Sequence, residues 1–176
     1  MAEALLNAET IQSIVSYLTT GGVIKALKGI DDRSMDSLYA VAHHFYSNNR
    51  YQEAEKIFKL LCLYDHLNVK YFKGLASCQQ MKKEYQQAAA TYSLCYLLDC
   101  DDPEVPFQAA KCHLMLNNFT AAQSGFIAAC GWAGEHEKHQ LLKKQAERLL
   151  IVVRLKMSKR KAETEPVSNS EACHGY

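Results

Sequence analysis

No stretch of this sequence approaches the roughly 20 consecutive apolar residues that a membrane-spanning helix requires, so no such span is expected. The amino terminus lacks the basic region, apolar run and small-residue cleavage site of a secretory signal, which points to a cytoplasmic protein. Net charge is nearly absent as well: 20 Lys and Arg oppose 19 Asp and Glu, leaving +1. So balanced a chain has no long-range field toward nucleic acid or an anionic membrane, and neither is expected as a partner. With three prolines and eight glycines in 176 residues, the composition excludes a fibrous or low-complexity protein. Cysteine is the exception to this scarcity, yet no Cys-x-x-Cys pair occurs and the total of seven is odd. Cys62, Cys78, Cys95, Cys100, Cys112, Cys130 and Cys173 therefore read as buried thiols in a reducing compartment rather than as disulfides.

What is present is a period. Tyr51, Tyr85 and Phe119 each stand three residues before an alanine (Ala54, Ala88, Ala122), and successive copies lie 34 positions apart. Ala42, Ala76 and Ala110 keep the same step, as do Phe58, Tyr92 and Phe126, and Leu61, Cys95 and Ala129. Four columns in register through three copies define a tetratricopeptide (TPR) pattern, with a small residue at position 8, an aromatic at 17, Ala at 20 and an aromatic at 24. The fold expected is all-α: three tandem helix pairs in a right-handed superhelix, at residues 35–68, 69–102 and 103–136. The marked columns are expected to be core. Asn48-Asn49-Arg50, Lys82-Lys83-Glu84 and Asn117-Asn118 fall where each A helix should turn into its B helix.

Residues 1–34 precede the repeats. Ile11, Ile14, Val15 and Leu18 follow the spacing of one helical face, and Gly21-Gly22 supplies a helix end. This segment reads equally as a cap over the open end of the stack and as a self-association helix. Asp31-Asp32-Arg33-Ser34 reads as a polar link. Residues 137–157 form a C-terminal solvating helix, with Leu142, Ala146, Leu149, Leu150, Val153 and Met157 on its inner face. From 158 to 176 a disordered polar tail is expected, and Lys159-Arg160-Lys161 reads as a solvated helix end.

Chemistry is poorly supported. His136-Glu137-Lys138-His139 spaces its histidines by three instead of the four of a zinc-protease helix, and reads as the first turns of an amphipathic helix. Cys112 and His113 are adjacent on a helix and point about 100° apart, which prevents a nucleophile–base contact. No strand is predicted for a phosphate-binding loop to follow. No catalytic residue, metal or cofactor is expected.

Binding is better supported, because A helices line the concave side of a TPR stack. If position 8 faces helix B, positions 2, 5, 9, 12 and 13 face the groove. Among these, Tyr39, His43, Tyr46, Lys73, Ser77, Gln80, Met81, Phe107, Lys111 and Leu114 are the candidate client-binding residues. Their apolar members offer contact area, while Lys73, Gln80 and Lys111 are placed to hydrogen-bond the backbone of an extended peptide. Co-chaperones that hold a C-terminal carboxylate have Lys at position 5 and Asn at position 9 of their first repeat. Tyr39 and His43 occupy those places, so that clamp is absent.

Over roughly residues 10–155 the sequence resembles the class II chaperones of bacterial type III secretion. The likeness rests on Gly21-Gly22-Val23-Ile24, on Phe72-Lys73-Gly74-Leu75-Ala76-Ser77-Cys78-Gln79-Gln80, and on Pro103-Glu104-Val105-Pro106-Phe107-Gln108-Ala109-Ala110-Lys111-Cys112. Ala76 departs from it, since the family often has Gly there. The resemblance implies a small, non-enzymatic chaperone with three TPRs, often a homodimer through its N-terminal region. Its expected partners are the hydrophobic translocator proteins of type III secretion: two clients are implied, each laid as an extended segment in the groove. The alternative is a generic TPR scaffold that joins proteins without solubilising a client.

Overall fold

The computed structural model describes residues 8–98 and 101–164, and every regular element among them is helical. α1 (Ala8–Thr19) and the single turn α2 (Ile24–Leu27) lead into three helix pairs. These are α3 (Asp32–Ser47) with α4 (Tyr51–Tyr64), α5 (Val69–Met81) with α6 (Tyr85–Leu98), and α7 (Glu104–Met115) with α8 (Phe119–Ala133). A 3-10 turn, Glu137–His139, precedes α9 (Gln140–Thr164), which packs along α8. From α3 onward each helix packs mainly on its neighbour in sequence, which is the one-dimensional construction of a repeat stack.

The three A-to-B turns are built alike. Position 15 of each repeat is left-handed: Asn49 at φ 59°, Lys83 at φ 65° and Asn117 at φ 56°. The next amide donates back five residues, Arg50 to the Phe45 carbonyl, Glu84 to Gln79 and Asn118 to His113, each at 2.9 Å. This is the Schellman closure, which satisfies carbonyls that the end of a helix would leave bare. Asparagine tolerates the left-handed region better than most residues, whereas Lys83 adopts it with no such help.

Ala42, Ala76 and Ala110 are fully buried, as are Ala54, Ala88 and Ala122. Small side chains let paired helices approach. At the α7–α8 contact, a Cβ on Gly125 would lie 2.9 Å from the Ala110 Cβ. Phe58, Tyr92 and Phe126 fill the spaces between pairs and are buried. Tyr51, Tyr85 and Phe119 are only half-buried, so this column, expected in the core, sits at its margin beside the turns.

Other expectations change at the ends of the repeats. Asp31 caps α3 by accepting from the Ser34 amide at 2.9 Å, so Asp32–Ser34 are helical and do not form a link. His136 and His139 lie at a 3-10 turn instead of the first turns of an amphipathic helix. The terminal helix continues to Thr164, past the expected end at 157, and the run Lys159, Arg160 and Lys161 places cations near its C-terminal end, where the helix dipole favours them. The rest of the expected tail, residues 165–176, lies outside the described residues, as do Cys100 and Cys173.

At the other end, α2 does the docking. Lys25 reaches Asp32 at 2.9 Å and the buried Asp65 at 2.7 Å, and Ile30 packs on the first core cluster. The Tyr17 ring lies over Gly22, where any Cβ would meet it at 2.2 Å. α1 itself makes at most glancing contact with the repeats, and Ile11, Ile14 and Val15 stay exposed while Leu18 is half-buried. It does not cover the stack as a cap would.

Candidate functional site

The A helices α3 and α5 enclose a cleft of about 340 Å³ between them. Tyr39, His43 and Tyr46 come from α3 at steps of four and three residues, which keeps them on one face. Lys70, Lys73, Gly74 and Ser77 come from α5, and the Phe58 ring of α4 forms the floor. Gly74 makes this floor possible. A Cβ there would stand 2.3 Å from the Phe58 ring, so the ring can lie against the α5 backbone only because the side chain is missing.

The aromatic wall is ordered by ring contacts. Tyr39 meets Phe58 edge-on at 5.9 Å and Tyr71 at 6.0 Å, and Tyr46 meets Tyr51 edge-on at 5.4 Å. Both tyrosines are half-buried, with an open ring surface toward the cleft, and burial pushes the Tyr46 hydroxyl above its ordinary pKa. His43 is exposed at the rim, its Nδ1 3.4 Å from the Ser47 hydroxyl.

Beyond this apolar cleft the groove becomes polar. The buried Tyr92 hydroxyl donates to Gln80 Oε1 at 3.0 Å and lies 3.2 Å from the Ser77 hydroxyl. Gln80 Nε2 donates to Gln108 Oε1 at 3.2 Å, Lys111 donates to the same oxygen at 3.0 Å, and Gln108 Nε2 donates to Glu104 at 2.6 Å. A chain of amides thus links α5 to α7. Lys73 Nζ donates to Asp102 at 2.7 Å, and Asp102 also accepts from the Glu104 amide at 2.9 Å. Burial works against the Asp102 carboxylate, but its bonds to Lys73 and the Glu104 amide outweigh that and hold its pKa below the ordinary value.

Of the ten expected groove residues, Tyr39, His43, Tyr46, Lys73 and Ser77 share the cleft, and Gln80 and Lys111 join the polar chain beside it. Met81 is exposed at the end of α5, and Leu114 is half-buried against the third core cluster. Phe107 is corrected: at 5% exposure it packs edge-on to Phe126 at 5.8 Å, and offers a ligand little area. Gly74 and Gln108 were missed. Both occupy position 6, a column not counted as inward-facing, though a lone glycine inside a helix is itself a sign of close approach. Phe58 was assigned only to the core. Among the described residues no group of three His, Cys, Asp or Glu could hold a metal, and no helix is long and apolar enough to cross a membrane.

Comparison with known proteins agrees with the fold. A family model described as "Tetratricopeptide repeat" matches residues 35–68 and 69–101. Low calcium response locus protein H of Yersinia pestis is 31% identical over 141 residues, covering 80% of this chain and 84% of the relative. Among solved structures, a type III secretion complex from Aeromonas hydrophila superposes with a TM-score of 0.80 at 31% identity, covering 88% of this chain and 99% of the other. The structure of PcrH with the chaperone binding region of PopD gives a TM-score of 0.71 at 36% identity, covering 73% of this chain and 97% of the other. A relative of this similarity, matched over most of its length, together with solved structures that share the helical stack, places the protein in a family: the chain belongs to the class II type III secretion chaperones.

Proposed function

We propose that this protein holds an extended segment of a hydrophobic translocator in its concave groove, keeping the client from associating or being degraded before secretion. The observation that carries this reading is the Tyr39–Tyr46–Phe58 cleft, an open aromatic socket on the A-helix face beside a row of amide groups. An apolar client side chain fits the socket while the amides and Lys111 face its backbone, the division of labour that extended-peptide recognition needs. The solved complex of the similar PcrH with the chaperone binding region of PopD supports it. A protein that must later enter a membrane carries apolar segments, and these would aggregate in water unless covered. The protein works in the bacterial cytoplasm, without catalysis, as a holdase. Its exposed α1 row, Ile11, Ile14 and Val15 with Leu18, is assigned to self-association in a homodimer.

Co-expression with a hydrophobic translocator tests the function. Soluble client yield should rise with the wild-type chain and fall with Tyr39→Ala/Tyr46→Ala, while helical circular dichroism persists. A client whose solubility is the same without the chaperone would leave only a scaffold. Client capture unchanged by the double variant would remove the groove from the reading.

A further inference from the structure

α9 closes the stack by packing Ala146, Leu149, Leu150, Val153 and Met157 against α8. The helix that ends a repeat array is expected to turn a polar face outward, because no further repeat covers it. The outer row of α9 departs from this. At steps of three and four it reads Lys144, Arg148, Ile151, Leu155 and Lys159, with Val152 beside Ile151. Ile151 is 59% exposed, Val152 41% and Leu155 60%. One acidic residue, the exposed Glu147, borders the row three residues after Lys144 and four before Ile151, and Lys144, Arg148 and Lys159 enter no ion pair among the described residues. Along the whole helix eight Lys and Arg oppose two Glu, although the chain carries a net charge of only +1. Much of the molecule's positive charge is therefore gathered on its last helix, around an uncovered apolar centre.

We propose that this row is a docking surface for an acidic amphipathic helix of a partner protein, which adds to the stack as one more helix. From Lys144 to Lys159 the row runs about 22 Å, four helical turns. Its centre offers three branched apolar side chains, and cations stand at both ends. A helix with Leu or Ile on one face and Glu or Asp flanking it would bury the centre and pair the ends, with charge setting orientation and encounter rate. The same row suits a lipid surface less well. Helices that lie in a membrane interface present a broad apolar face carrying aromatic residues, whereas the inner face of α9 is already used by α8 and its outer row has no aromatic. A nucleic-acid backbone would meet the exposed Ile151 and Leu155 where it needs cations.

The test uses the full chain and a synthetic peptide of about 15 residues, with Leu along one helical face and Glu on the other, long enough to span the row. Fluorescence anisotropy should report binding that weakens with added salt, and that weakens about tenfold or more in Arg148→Glu/Lys159→Glu and, separately, in Ile151→Ser/Leu155→Ser. All four side chains are exposed, so circular dichroism and soluble yield of a groove-bound client should not change. The proposal is overturned if a scrambled peptide of the same composition binds as tightly, or if neither variant pair weakens binding. It is equally overturned if the peptide fails to bind while phosphatidylglycerol vesicles or duplex DNA bind in a way that both pairs abolish.

Discussion

The carboxylate of Glu55, 5% exposed on α4, meets the ammonium of Lys82 at the end of α5 at 2.6 Å, while Lys59 takes its other oxygen at 2.7 Å. The first repeat is thus tied to the second by a charge that would be costly to bury alone. Breaking a buried pair by removing one partner costs about 3–5 kcal/mol in general. Lys82→Met should cost less here, about 1–2 kcal/mol, since Lys59 remains and the Lys82 side chain is partly hydrated. Chemical denaturation would measure it. Burial opposes the Glu55 carboxylate, but its two lysine bonds outweigh that and leave its folded pKa below the ordinary 4.5. Its contribution is therefore complete above the unfolded pKa and is lost as pH falls through the folded value. Lys82, raised above its ordinary 10.5, contributes below that value and loses its contribution as pH rises through its folded pKa. A Glu55→Gln variant should accordingly show a smaller loss of stability than wild type on acidification below about pH 4.5.

A second prediction concerns Lys83, whose φ of 65° is the left-handed angle that Asn49 and Asn117 adopt in the other two turns. A left-handed side-chain-bearing residue costs about 1–2 kcal/mol, and glycine loses part of that advantage to its greater freedom when unfolded. Lys83→Gly should therefore raise stability by about 0.5–1 kcal/mol, read as a higher melting temperature. A fall in melting temperature would mean that the lysine side chain supports the turn in some other way.

The repeat spacing made the stack legible, because a column recurring every 34 residues must occupy the same place in each helix pair. It did not separate core from margin. Tyr51, Tyr85 and Phe119 mark the period as strongly as Phe58, Tyr92 and Phe126, yet only the second set is buried, since the first sits beside exposed turns. The groove was legible in its α3 and α5 residues for the same reason. Phe107 escaped because position 5 packs toward α8 in the third pair, where Ala110 and Gly125 bring the two helices close. The polar chain from Tyr92 to Glu104 joins residues of three helices, and no spacing rule links them. Nor did polarity alone reveal that α9 runs on to Thr164.

The buried cysteines make a third prediction. Burial pushes Cys62, Cys78 and Cys95 up to about 12 and Cys112 up to about 11. Near pH 8 the thiolate, which is the reacting species, is then about one part in a thousand or less. In a Cys100→Ser/Cys173→Ser variant, Cys130, which is half-buried, should react first with a thiol reagent. The other four should react only as the chain opens, so their rate should follow unfolding and rise with denaturant. Rapid labelling of all five in native buffer would contradict this packing.

The last prediction concerns the groove floor. With a Cβ on Gly74 only 2.3 Å from the Phe58 ring, Gly74→Ala must displace that ring or push α5 away from α4. Overpacking of this kind costs about 1–3 kcal/mol. Phe58→Leu alone should also destabilise, by leaving space in the first core cluster. In the double variant the new methyl occupies some of the space the ring has vacated, so the combined loss should be smaller than the sum of the two. A double-mutant cycle in urea measures that difference directly, and additive losses would mean that the two residues do not press on each other. The same cycle separates the fold from the site. If the Phe58 ring is the floor on which a client side chain rests, the double variant should recover stability without recovering client affinity.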